Sequence, residues 1–418
     1  MATESFRAYL PDLDLMTNAG APAVYHCHHF NLFLDQTVDD ALGPQEGAKL
    51  RFLAAREASH AFLRALCVRK GALTPVEKLS AAMEAFAAMG HGRLEITADA
   101  NGGPADGEFL HYGYSWAQKY GQKVRRRHPA DAFAAGYTAA AVEIAYGLER
   151  ESVDATETQC VAMRAERCHF ELKRGASPPQ LPPVREAEIK AAAKPTMNGL
   201  YEAEIGKITN GLRSFTGGVA GDQRGLVQAF GVFITMHLSG YYNRITYDTM
   251  AQVEKTSPGS IGVLEELFRE SGHVCVFNTF GGMLLSPEWA GLVGAPTGDI
   301  TQTIIGCVAI ARALGFGHWV IHEVTPGSKL VLRTPCTYES GYYLTRHGVA
   351  TRPNEYFFQG ASLAFCQLAY RVDWKAKPEL TPEFYEALFR GKIPCKMEQT
   401  QGTTMGQPYS EVVVTQLG

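Results

Sequence analysis

The chain repeats itself, and that constrains its folding more than any single motif does. Segment 25–37, YHCHHFNLFLDQT, aligns with 240–249, GYYNRITYDT, on a shared Asn-x5-Thr spacing, Asn31/Thr37 and Asn243/Thr249. Ala58-Ser59-His60 then aligns with Ser271-Gly272-His273, and GHGRLEI (90–96) with GFGHWVI (315–321). Pro129, Gly136 and Tyr146 recur as Pro353, Gly360 and Tyr370 at the same intervals. The offset drifts from 212 to 225, as loop insertions on one scaffold would make it. Four matches in one order predict two similar domains, the alternative being one large α/β domain. Residues 174–198 concentrate Pro, Ala and charge and read as a linker, giving domains 1–173 and 199–418.

Within each copy the periodicity predicts a helix (47–69; 261–270), a second helix ending at Gly (75–89; 301–314), and an alternating strand (93–97; 318–323). An aromatic segment, an Ala-rich helix (131–146; 354–370) and a closing strand (168–172; 411–415) follow. Helices layered on an antiparallel sheet, an α/β (α+β) class, is the economical architecture.

The richest chemistry lies at the end of copy one, where Glu157, Cys160 and Cys168 form E-x2-C-x7-C. A turn between the cysteines folds two thiolates and a carboxylate onto one divalent ion, and that donor set suits zinc. The preceding AGYTAAAVEIAY helix (135–146), this motif and the terminal strand together resemble the C-terminal half of 4-vinyl-reductase-type domains, a family that includes hydrocarbon-binding, phenol-sensing modules. The resemblance implies an α/β domain that dimerises, encloses an apolar pocket and holds zinc on one Glu and three Cys. Glu157, Cys160 and Cys168 match three of those ligands. The fourth would fall in DAFAA (131–135), which has no cysteine; either His169 or water completes the sphere, or the site is empty and the cysteines are buried free thiols. Copy two keeps the spacing as Gly402 and Ser410, neither of them a zinc ligand, so a metal belongs to copy one.

His26-Cys27-His28-His29 is the densest group of potential ligands. On a strand His26 and His28 would share a face; the competing reading is a strand-to-helix corner. His26 and His28 are candidate bases, with Tyr112 or Tyr241 as proton donor. His29, Asn31, Asn243 and the paired helical histidines His60 and His273 are candidate ligand contacts. His91, His111, His318 and His322 flank the central strands without one standing out. Tyr114 and Trp116 suit stacking on a flat apolar ligand, as the sensors' Trp and His do on a phenol. Gly102-Gly103 and the glycines near 217–221 lack the strand and helix of a phosphate cradle.

The formal net charge of −4 provides no field for nucleic acid, and the lone basic run, Arg125-Arg126-Arg127-His128, reads as a solvated turn. Nine scattered cysteines read as reduced thiols in a cytoplasmic protein, and neither a signal pattern nor an apolar run of membrane length is evident. Two functions remain open. One is a fused pseudo-dimer that binds a small aromatic or hydrophobic molecule. The other is a metal- or His-assisted enzyme acting on such a molecule. The partners expected are that ligand and, from the family's habit, a second copy of the chain.

Overall fold

The computed structural model describes residues 6–121, 123–175, 197–217, 220–390 and 395–417; most of the expected linker, 176–196, lies outside them. The first half runs β1 (Arg7–Tyr9), β2 (Met16–Asn18), β3 (Ala21–Cys27), α1 (His28–Leu42), α2 (Pro44–Lys70) and α3 (Pro75–Ala88). It continues β4 (Glu95–Ile96), β5 (Gly102–Gly107), α4 (His111–Tyr120), α5 (Ala132–Tyr146), β6 (Val153–Gln159) and β7 (Cys168–Arg174). The second half begins α6 (Glu202–Gly217), β8 (Val227–Ala229), β9 (Val232–Leu238), α7 (Ser239–Thr256) and α8 (Ile261–Cys275). After a π-turn come α9 (Gly281–Leu285), α10 (Pro287–Leu292), α11 (Ile300–Leu314), β10 (Val320–Thr325), β11 (Lys329–Thr334) and α12 (Tyr338–His347). The chain closes with α13 (Tyr356–Arg371), α14 (Pro382–Tyr385), β12 (Cys395–Gln401) and β13 (Ser410–Gln416).

Each half carries a four-stranded antiparallel sheet of one design, β4-β5-β7-β6 and β10-β11-β13-β12. Even an irregularity recurs: the register slips between Glu157 and Gln159 in the first sheet and between Gln399 and Gln401 in the second. The Ala-rich helices α5 and α13 are buried almost all round, which is why neither shows a clean polar face in sequence. Gly136 lets α5 lie against α2, because a Cβ there would strike the Phe52 carbonyl and Ala55; Gly360 does the same for α13 against the Arg269 carbonyl of α8. The glycines shared by the two repeats thus mark equivalent helix crossings.

A third, five-stranded antiparallel sheet, β1-β2-β3-β9-β8, joins the halves. β3 pairs with β9 in the register Val24↔His237 and Tyr25↔Met236. The arms cross over. Tyr9 donates to the Ala313 carbonyl at 2.5 Å, and Asp14 pairs with Arg213 at 2.5 Å. In return Gly225 accepts from Gly92 N–H at 2.8 Å, and Met236 N–H donates to Met89 at 2.9 Å.

Three local expectations change. β3 ends at Cys27 and α1 starts at His28, so strand alternation never reaches His28 and the corner reading holds. Gly102-Gly103 opens a strand, β5, although no helix N-terminus follows it directly. Arg126 is not solvated; it pairs with buried Asp39 at 2.7 Å and covers the Trp116 ring. All nine cysteines are buried free thiols, and no helix among the described residues is long and apolar enough to cross a membrane.

Candidate functional site

Asp131, Glu157, Cys160 and Cys168 converge in one buried corner of the first half, with one potential ligand atom from each lying within 4.8 Å of all the others. Asp131 precedes α5, Glu157 sits at the slip in β6, Cys160 opens a short turn and Cys168 begins β7. The hairpin therefore brings the two sulfurs to 3.9 Å, and Cys168 Sγ lies 3.4 Å from Asp131 Oδ2. Glu157 Oε2 accepts from the Asp131 amide at 2.7 Å, while Glu157 Oε1 is buried without a partner. Burial pushes both carboxyls well above their ordinary range, reinforced at Asp131 by Glu157 and at Glu157 by Cys160. Four acidic groups crowded out of water without a compensating cation is a costly arrangement, and two sulfurs with two carboxylates could hold a divalent metal ion.

The fourth member was not identified as a ligand in sequence. His169 turns away to pair with Asp106 at 2.9 Å, and Asp131, in the segment 131–135, takes the fourth place instead. The available signal was a carboxylate in the expected place.

The first turn of α4 covers the corner. Tyr112 and Gly113 amides donate to the Asp131 carboxylate at 3.2 and 2.8 Å. Gly113 permits the approach, since a Cβ there would lie 2.5 Å from Asp131 Oδ2 and 3.3–3.4 Å from the two sulfurs.

The same turn sends His111 and Tyr112 into a buried histidine–tyrosine network at the seam. His111 Nε2 lies 2.9 Å from Asn31 Nδ2, and Asn31 Oδ1 accepts from Tyr242 at 2.6 Å. Because the amide nitrogen donates, His111 Nε2 accepts, and its proton resides on Nδ1. Tyr112 meets His237 Nε2 at 3.1 Å, and Tyr241 donates to Asp35 at 3.1 Å. His26 lies across Phe30, with Nδ1 3.4 Å from Cys275 Sγ. Burial holds His26, His91, His111 and His237 well below the ordinary imidazole pKa, so all four are neutral. Both nitrogens of His91, Nδ1 of His111 and Nε2 of His26 are buried without partners.

Of the sequence candidates, His26, Asn31, Tyr112 and Tyr241 thus come together, joined by His91, His111, His237 and Tyr242. The last two were hidden because their roles arise from packing across the seam. The others are dispersed. His28 accepts the Phe233 amide at 3.1 Å and stacks on His29. Tyr114 packs on Phe109 and Phe233, Trp116 lies between Arg126 and Tyr120, and His273 stacks on Phe389. His60 lines a separate groove.

Asn243 borders a cavity of about 720 Å³ at the seam, lined by β2, β3, α2, α7 and α12. Its floor includes buried Leu238 and Tyr338, and small residues such as Ala58, Ala61 and Ala65 on one helix leave the space open. Glu57 and Arg346 are among its polar groups.

In the second half the equivalent corner is a hydrogen-bonded cluster of side chains. One offset of 242 residues carries Glu157, Cys160 and Cys168 onto Gln399, Gly402 and Ser410. Glu355, before α13, accepts from Ser410 at 2.6 Å and from Gln399 at 2.7 Å.

No protein-family model matches the chain, and no curated protein does. Among solved structures it is similar to the phenol-responsive sensory domain of the transcription activator PoxR with phenol: 15% identity and a TM-score of 0.34, over 40% of this chain and 85% of that one. A likeness that loose carries no argument about fold or ligand.

Proposed function

We propose that the protein is a fused pseudo-dimer that binds a small aromatic or hydrophobic molecule at the seam between its halves. The 720 Å³ cavity carries this reading. Its volume falls in the range of small-molecule sites, and its lining is mostly apolar, with Glu57, Asn243 and Arg346 among its polar groups. The matched sheets and the β3–β9 pairing support the fused-dimer part. Native mass spectrometry of protein from its host would reveal the bound molecule. An Ala58→Phe, Ala65→Phe variant fills the cavity and should weaken uptake of that molecule by about tenfold or more. Undiminished uptake by a folded variant would sink the proposal.

Asp131, Glu157, Cys160 and Cys168 fit zinc, which would neutralise the crowded carboxyls and tie the β6–β7 hairpin to α5. Bound there, the ion supplies a structural tie. Metal analysis should find about one zinc per chain, lost together with thermal stability in a Cys160→Ser, Cys168→Ser variant.

A second reading, an enzyme on the same class of molecule, has its own observation: Tyr112 meets the neutral His237 at 3.1 Å, in a network where His91 and His111 keep unpartnered nitrogens. A neutral imidazole next to a phenol is a general acid–base pair. The second half holds Phe316 where the first holds His91, so His91→Phe is a replacement the scaffold already accommodates. Conversion of the recovered ligand by wild type, abolished in His91→Phe, would favour the enzyme; no conversion by either leaves binding alone.

A further inference from the structure

Where α2 turns into α3 lie the most exposed large apolar side chains among the described residues: Val68 at 78%, Leu73 at 82% and Val76 at 76%. Packing within the chain does not explain them, and capping interactions define the turn. Gly71 ends α2 in the left-handed region, and Glu77 Oε2 accepts the Leu73 and Thr74 amides, each at 2.9 Å. Between residues 60 and 80 the charged side chains are Arg64, Arg69, Lys70 and Lys78 against Glu77 alone, in a chain whose net charge is −4. Glu84 engages Lys70 at 2.7 Å. A groove of about 650 Å³ runs behind the tip, lined by His60, Arg64 and Lys78 together with Val68 and Leu73, and buried Glu143 lies at its base. Burial first, and then the neighbouring Arg150 and Arg64, depress His60 to about 4.

We propose that this tip docks on an anionic lipid surface. Val68, Leu73 and Val76 enter the headgroup–acyl boundary, while Arg64, Arg69 and Lys78 meet lipid phosphates and carboxylates. Protruding apolar side chains inside a basic collar match both layers of such a surface. A protein partner would need a broader buried core than three separated side chains on a convex turn provide. The docking is independent of what the seam cavity holds.

The full chain would be sedimented with phosphatidylcholine vesicles and with phosphatidylcholine–phosphatidylserine vesicles, at low and high salt. The protein is expected to pellet with the anionic vesicles only, and less so at high salt. Leu73→Glu with Val76→Glu, both at exposed positions, should weaken binding about tenfold with an unchanged circular dichroism spectrum. Arg64→Gln with Lys78→Gln should weaken it on anionic vesicles. Failure of the wild type to bind, or full binding by the Glu variant, overturns the proposal; equal binding to neutral vesicles overturns the role of the basic collar.

Discussion

A few side chains hold the functional corner in place, and they make it sensitive to single atoms. Gly113→Ala puts a methyl group into the Asp131 carboxylate and against both sulfurs. It should cost about 1–3 kcal/mol and reduce bound zinc, read by thermal unfolding alongside metal content. In the second half, burial and then Glu355 raise Glu339 to about 8. Its folded pKa therefore exceeds the ordinary 4.5, so its contribution to stability is complete at low pH and declines as pH rises through about 8. Wild-type thermal stability should fall between pH 6 and 9 by the equivalent of about 1–3 kcal/mol, and Glu339→Gln should flatten that slope. An identical slope in the variant would assign the effect elsewhere. At this scale the sequence exposed Glu157, Cys160 and Cys168, because their spacing is set by one hairpin. Asp131 was obscured because it arrives from another element and was judged by the cysteine it is not.

Element by element, the local signals were plain. Thr74-Pro75-x-Glu77 makes a capping box at α3, and Gly71 and Gly147 terminate α2 and α5 in the left-handed region. The repeat anchors Gly136 and Gly360 were visible as pattern, but their reason, the two close helix crossings, required the packing. Gly136→Ala should separate α5 from α2 and lower stability by about 1–3 kcal/mol, and Gly360→Ala should do likewise in the second half. Comparable melting curves for wild type and both variants would contradict that account. The His26–His29 run shows where reading by alternation fails. One residue past Cys27 the backbone changes from strand to helix, and His26 and His28, two residues apart in the chain, part company.

The whole molecule is held together across the seam by more than a connecting segment. Arg244 is buried and reaches Glu57 at 2.9 Å and the Leu53 carbonyl at 2.7 Å in the other half, and each half's arm lies on its neighbour. A protease site engineered into residues 176–196 should yield, after cutting, two fragments that still coelute at the intact mass under native conditions. Separate elution would mean that the seam is weaker than its contacts imply. The matching sheet designs were legible where the repeat's anchors are glycines at close helix crossings, Gly136 and Gly360. The exchanged arms were not, since short strands such as β1 and β8 carry too few residues to pattern.

Loss of symmetry has a numerical consequence for occupancy. The seam cavity draws its lining from both halves, Ala58 and Ala65 from the first and Gly240 and Thr337 from the second, and the residues facing each other across it are unlike. A single site built this way should titrate as a plain hyperbola, with one molecule per chain at the endpoint.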